Sequence, residues 1–183
     1  MLVQAHIVLR PVREADLPLL RRVLTEAGTP GEFQWFGFRP ARANEIEGRW
    51  REDGLIGGDE SFLAVALDDG TCAGVVNWRA LAHGNWEIGN WEIGIMLFPE
   101  HRGLGLGTQA QRLLVRYLFD HTTAHRVQAG TEVGNLAEQR ALEKAGFRRE
   151  GVMRGVHFRS GQWRDSIMYA ITRDDLFDLD ERA

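Results

Sequence analysis

Residues Glu92 to Leu118 read Glu-Ile-Gly-Ile-Met-Leu-Phe-Pro-Glu-His-Arg-Gly-Leu-Gly-Leu-Gly-Thr-Gln-Ala-Gln-Arg-Leu-Leu-Val-Arg-Tyr-Leu. The stretch predicts a strand, a glycine-rich turn and a helix. Ile93, Ile95 and Leu97 alternate as one face of a strand. Pro99 stops it, because proline lacks the N–H that a ladder needs. Arg102-Gly-Leu-Gly-Leu-Gly107 turns the chain, and glycines there let a ligand approach the backbone closely. Ala110, Leu113, Leu114, Tyr117 and Leu118 then recur at helical spacing. A turn of this kind opening into a helix N-terminus presents unpaired N–H groups and a positive dipole end, the setting that holds phosphate. The glycines at 103, 105 and 107 do not match the dinucleotide fingerprint G-x-G-x-x-G, and no lysine follows Gly107 as a P-loop requires.

Upstream, His6 to Val12 predicts a first strand with Ile7 and Leu9 inward. Asp16 is placed to cap a helix carrying Leu17, Leu20 and Val23. Phe33-Gln-Trp-Phe-Gly-Phe38 is dense in aromatics, so Phe33, Trp35 and Phe36 are either core packing or the wall of a substrate pocket. Ala41 to Arg51 predicts a second helix. Ser61 to Leu67 and Ala73 to Ala80 predict two strands joined at Asp68-Asp-Gly70. Asn85-Trp-Glu-Ile-Gly is repeated as Asn90-Trp-Glu-Ile-Gly94; the odd offset would turn Glu87 and Glu92 to opposite faces of a regular strand.

Downstream, Val127 to Val133 predicts a strand, Asn135 to Ala145 a helix closed by Gly146, and Arg148–Phe158 with Trp163–Thr172 a hairpin turned at Ser160-Gly161. Arg173 to Ala183 reads as a peripheral acidic tail. His121 and His125 have the spacing of a helical metal pair, but no third ligand lies nearby in sequence, so no metal is expected. The order of elements predicts an α+β fold: a mixed, mostly antiparallel sheet of about seven strands flanked by about four helices.

The 183 residues suit a single domain, 1–183, with a sizeable core. A net charge of −4 argues against nonspecific nucleic-acid binding. Cys72 is the only cysteine, so no intramolecular disulfide forms, and its strand-like setting marks it as a buried apolar residue. No signal peptide and no bilayer-spanning stretch is evident, so a soluble, cytoplasmic protein without a membrane partner is expected.

The pattern Arg102-x-x-Gly105-x-Gly107 after a strand ending in Phe-Pro resembles the pyrophosphate-binding turn of the GNAT superfamily of acyl-CoA-dependent N-acetyltransferases. Thr131-Glu-Val-Gly-Asn-Leu-Ala-Glu-Gln-Arg-Ala-Leu-Glu-Lys-Ala-Gly-Phe-Arg-Arg-Glu-Gly151 is similar to a second GNAT motif in its RimJ/RimL form, and Gly161-Gln-Trp-Arg-Asp165…Tyr169 to that branch's closing hairpin. The resemblance runs from about Ile7 to Arg173.

It implies acetyl-CoA as co-substrate and transfer of its acetyl group to a primary amine of a small molecule or a peptide N-terminus. The backbone of Met96 and Leu97 would hold the pantetheine arm, with Asn135 hydrogen-bonding it. Arg102, Gly103, Leu104, Gly105, Leu106, Gly107 and Thr108 would hold the pyrophosphate. A homodimer through the terminal strands is also implied. Two positions depart from the pattern: Glu138 stands where the branch has serine, and Leu142 where many relatives have the tyrosine that protonates the leaving thiolate. These departures keep open a non-catalytic acyl-CoA-binding module, and the acyl pocket's size, which the sequence does not specify, keeps open a larger acyl group.

Attack by a mostly protonated amine calls for a base. Glu92 aligns with the glutamate that several relatives use, and Gly94 beside it would leave room for a cavity; its other reading is a solvated strand charge. His157 on the last hairpin is the second candidate, with a structural histidine as its other reading.

Overall fold

Strands with continuous buried runs, as over Ala64–Ala66 and Cys72–Val76, bury both faces and need a cover on each side, which the amphipathic helices supply. The computed structural model describes residues 6–26, 31–33, 40–57, 60–81 and 90–180. Its strands are β1 (Ile7–Arg10), β2 (Glu60–Leu67), β3 (Cys72–Ala80), β4 (Asn90–Leu97), β5 (Arg126–Glu132), β6 (Arg148–Arg159) and β7 (Gln162–Thr172). They form a seven-stranded sheet in the order β1-β2-β3-β4-β5-β7-β6. The pair β4–β5 is parallel and the other five described pairs are antiparallel.

Helices α1 (Leu17–Thr25) and α2 (Pro40–Asp53) cover one face, where Val12, Leu20, Val23 and Leu55 pack on Ala64 and Val75. Trp50 ties α2 to the end of the first strand by donating Nε1–H to the Val12 carbonyl at 2.8 Å. Helices α3 (Leu106–His121) and α4 (Leu136–Ala145) cover the other face, where Leu106, Leu114 and Leu118 meet Val65, Val76, Ile93, Val127 and Tyr169. Cys72 is buried, and burial pushes its thiol above the usual range.

Three local features differ from the sequence reading. Leu113 and Tyr117 of α3 are partly exposed, at 38% and 37%, while Gln111, Val115 and Phe119 are buried. The apolar stripe is thus rotated around the helix, and a buried glutamine is invisible to an apolar periodicity. The tail forms a fifth helix, α5 (Arg173–Asp180), where about four were expected. Arg173 anchors its start by donating to the carbonyls of Ala124 (2.8 Å) and Thr122 (3.1 Å). Asp16 stands at the α1 N-cap position, but its carboxylate makes no cap hydrogen bond to the helix. It instead accepts from Arg10 Nη1 at 2.7 Å, Arg10 Nη2 at 3.1 Å and the Arg13 N–H at 2.8 Å. The first copy of the repeated pentapeptide lies outside the described residues, as do Trp35 and Phe36.

Burial by itself would raise the Asp16 carboxyl, yet the hydrogen bonds from Arg10 and Arg13 and their charges outweigh it and leave it below its ordinary 3.8. Breaking a buried ion pair strands the remaining charge, so Asp16→Ala is expected to cost about 3 kcal/mol. Thermal denaturation should register a Tm lower by roughly 6–12 °C. Because the folded carboxyl titrates low, its contribution is complete above the unfolded value and fades as pH falls through the folded one. The gap between wild type and D16A should therefore narrow in acid.

Candidate active site

The site begins where β4 and β5 part. Their parallel pairing covers three positions, Asn90↔Arg126, Trp91↔Val127 and Glu92↔Gln128, and stops there. Along the other edge β4 stays paired with β3 through Gly74↔Leu97. Phe98 donates its N–H to the Ala73 carbonyl (2.9 Å), and the Asn90 carbonyl accepts from Leu81 (3.0 Å). Alternation then turns the backbone groups of even-numbered β4 residues toward β3 and those of Ile93, Ile95 and Leu97 toward the gap. Met96, expected to offer its backbone to a ligand, is therefore on the wrong edge, and its side chain packs beneath α1 and α2. Leu97 is on the right edge.

At the head of the gap, a 3-10 turn over Pro99–His101 leads into the glycine-rich corner. Gly103 (φ +76°) and Gly105 (φ +78°) occupy left-handed backbone, and a Cβ on either would stand in open space. Helix geometry leaves the N–H groups of Leu106, Gly107 and Thr108 without intrahelical acceptors. The side chain of Leu106 is fully buried in the core and that of Leu104 is exposed, so only their backbone can serve the turn. Arg102 braces the corner by donating Nε–H to the Leu97 carbonyl at 2.9 Å.

The opposite wall is the first turn of α4. Asn135 caps it by accepting the Glu138 N–H on its side chain at 3.3 Å, and Gly146 ends the helix in left-handed conformation. Between the walls lies a cavity of about 630 Å³. The corner glycines, Ile95, Leu97, Asn135 and Glu138 all line it, and Phe33 closes its rim. Phe33 lies under the Arg159 guanidinium, 5.3 Å from its ring centroid. Arg159 in turn makes a buried pair with Glu132, Nη2 to Oε1 at 2.6 Å, which pins this rim to the last hairpin.

Glu138 is a site residue that charge patterning alone does not reveal. Its carboxylate accepts from the Nε2 group of buried Gln111 on α3. Burial raises it to about 7, and the Gln111 hydrogen bond offsets only part of that rise.

Glu92 lies outside this cavity, on the sheet face that carries α1 and α2. Its two carboxylate oxygens accept from Arg79 Nη2 at 2.6 Å and Gln128 Nε2 at 3.4 Å. The room expected over Gly94 is filled: a Cβ there would sit 2.5 Å from the Asn77 Oδ1. His157 pairs with Arg164, six residues along β7 from Ala170, which pairs with Gln128 beside Glu92. That separation is roughly 20 Å along the strand, so the two candidate bases do not share one site.

A sequence profile for the acetyltransferase (GNAT) domain matches residues 6–148. The chain belongs to the GNAT family. It is 42% identical over 83 residues to the "Probable N-acetyltransferase YjcK" of Bacillus subtilis, a match spanning 45% of this chain and 46% of that relative's length. It is 27% identical over 177 residues to the "Putative ribosomal N-acetyltransferase YdaF" of the same bacterium, covering 93% of both. The spermidine N-acetyltransferase of Vibrio cholerae in complex with CoA and spermine shares the fold with a TM-score of 0.75 at 19% identity, over 93% of this chain and 98% of that one.

GNAT acetyltransferases use acetyl-CoA, and the residues here fit it. The open space over Gly103 and Gly105 admits phosphate to the backbone, and the gap beyond Glu92 leaves a strand edge for the pantetheine amides. No helix among the described residues is long and apolar enough to cross a membrane.

Gly105→Val would put a β-branched side chain both into that space and onto left-handed backbone. The strain costs at least about 1–2 kcal/mol, a Tm loss of roughly 2–8 °C. Coenzyme A affinity, read by calorimetry on the folded variant, is expected to drop at least tenfold, and unchanged affinity would refute the phosphate assignment.

Proposed function

We propose that this GNAT domain, as one unit spanning residues 1–183, acetylates a primary amine on a small molecule or a peptide N-terminus by direct transfer. The observation that carries the reading is the parting of β4 from β5 directly below a glycine corner at a helix N-terminus. Acetyl-CoA supplies the acyl group as a thioester. The chain's own residues have three tasks: the corner N–H groups and Asn135 hold the cofactor, the Ile93–Leu97 edge aligns the thioester, and an acceptor-side group relieves the amine of a proton.

For that last task we favour Glu92. It sits at the vertex of the gap, on the face opposite α3 and α4. Its partner Arg79 is 56% exposed at the side chain and can swing into solvent, freeing a carboxylate oxygen. Glu60, whose Oε1 accepts from Asn77 Nδ2 at 2.6 Å, adds a second carboxylate to this face. Two carboxylates suit an incoming amine that arrives protonated. The names of YdaF and of the Vibrio enzyme, one ribosomal and one for spermidine, bracket the acceptors worth trying. Cytoplasmic placement and a homodimer through the last hairpin, where Phe158 and Trp163 are exposed, complete the proposal.

Thiol release from acetyl-CoA across a panel of polyamines, amino acids and peptides with free N-termini tests the reading. Tight coenzyme A binding with no turnover on any amine would replace it with an acyl-CoA-binding module. With an active acceptor, Glu92→Gln should lower kcat/KM by roughly 10²–10⁴-fold at unchanged cofactor affinity, and His157→Ala should cost far less. The opposite ranking would move the role to His157.

A further inference from the structure

The cleft that receives a polyanion carries a carboxyl on its own wall. Glu138, the third residue of α4, lines the cavity shared with the phosphate corner. Its hydrogen-bond partner is neutral, the buried amide of Gln111. The surroundings leave it uncompensated: α3 brings Thr108 and Gln111, and β4 brings the apolar Ile95 and Leu97. Arg102 donates to the Leu97 carbonyl and keeps its charge, and Glu32 at the rim lies 3.7 Å from Arg159 Nη1. Arg140 and Lys144, on α4 itself, line the cavity too, and burial still prevails in raising Glu138.

A second observation comes from Gln111. The residue is 1% exposed, and its Oε1 is buried with no donor. That oxygen belongs to the amide that already donates to Glu138, and a protonated Glu138 would bring a donor to the same pair. Filling the cleft with coenzyme A removes more water from Glu138 and brings like charge near it, and both effects favour the neutral acid.

We propose that Glu138 is carried into the coenzyme A complex as the protonated acid, so that cofactor binding takes up a proton at this residue. This rests on the cleft being the cofactor site. In the free protein the carboxyl is poised near 7 by burial, despite a helix N-terminus that favours its anion. Wild-type affinity should then be flat in mild acid and fall as pH rises through that value. The sign separates Glu138 from the cofactor's own phosphate. The cofactor's one phosphate monoester, separate from the pyrophosphate, titrates near 6; any contact that favours its dianion releases protons, and does so equally in wild type and E138Q.

Calorimetry with coenzyme A, in paired buffers of different ionisation enthalpy from pH 6 to pH 8.5, measures both affinity and proton count. Glu138→Gln is neutral at every pH and keeps the shape. Wild type should lose roughly tenfold in affinity relative to E138Q between pH 6 and pH 8. At pH 8 it should take up close to one proton more than E138Q per cofactor bound. Parallel pH curves and equal proton counts would overturn the proposal while leaving the cofactor site intact; no coenzyme A binding at any pH would overturn the site itself. Should E138Q not fold, wild type with Gln111→Met decides. Losing the hydrogen bond that stabilises the anion should move the midpoint upward, and an unmoved midpoint or net proton release would overturn the proposal.

Discussion

A strand inside a sheet normally has a neighbouring strand on both edges, and beyond Glu92 β4 has a neighbour on one. The rest of the architecture follows from this constraint. The β3 ladder continues to Leu97, while β5 parts from β4 after three pairs and stays paired with β7 along its whole length. The gap opens along the Ile93–Leu97 edge, and α3 and α4 place their N-termini at its mouth. The strand edge that β5 leaves and the N-termini of the two helices line one cleft.

The two faces of the sheet divide the chemistry. One carries the cleft, the glycine corner and Glu138; the other carries the Glu60, Arg79 and Glu92 side chains. Odd and even residues of a single strand serve them separately, Ile95 and Leu97 lining the cleft while Glu92 and Met96 face the other way. A one-residue slip of β4 would exchange the two sets, so its register with β3 matters as much as any single side chain. Asn77, seated over Gly94 and bonded to Glu60, fills that face where the two strands meet.

Much of this was legible in the sequence because it rests on local chemistry. Pro99 ending a strand, glycines at a corner, Asn135 opening a helix and Gly146 closing it act on their own neighbours, and the structure places each as read. What was not legible depends on partners distant in the chain. Which edge Met96 offers is decided by pairing with β3. Asp16 is drawn from its capping role by Arg10, and the tail becomes a helix because Arg173 finds carbonyls at 122 and 124. Glu138 stood out by its identity, but only the approach of Gln111 from another helix reveals a carboxyl largely withdrawn from water.

The edge of β4 that β5 leaves also has a consequence for the protein as material. An open strand edge is a template for any chain that can supply the missing partner. On the proposed binding mode a pantetheine arm with its two amides would serve as a short substitute strand, and the cofactor would cap an edge open to a second polypeptide. Mass action then ties resistance to unfolding and aggregation to the surrounding pool of coenzyme A, by about 2.7 kcal/mol when the free ligand stands a hundredfold above its dissociation constant. The protein's durability in a cell would thus track the metabolic supply of its own co-substrate.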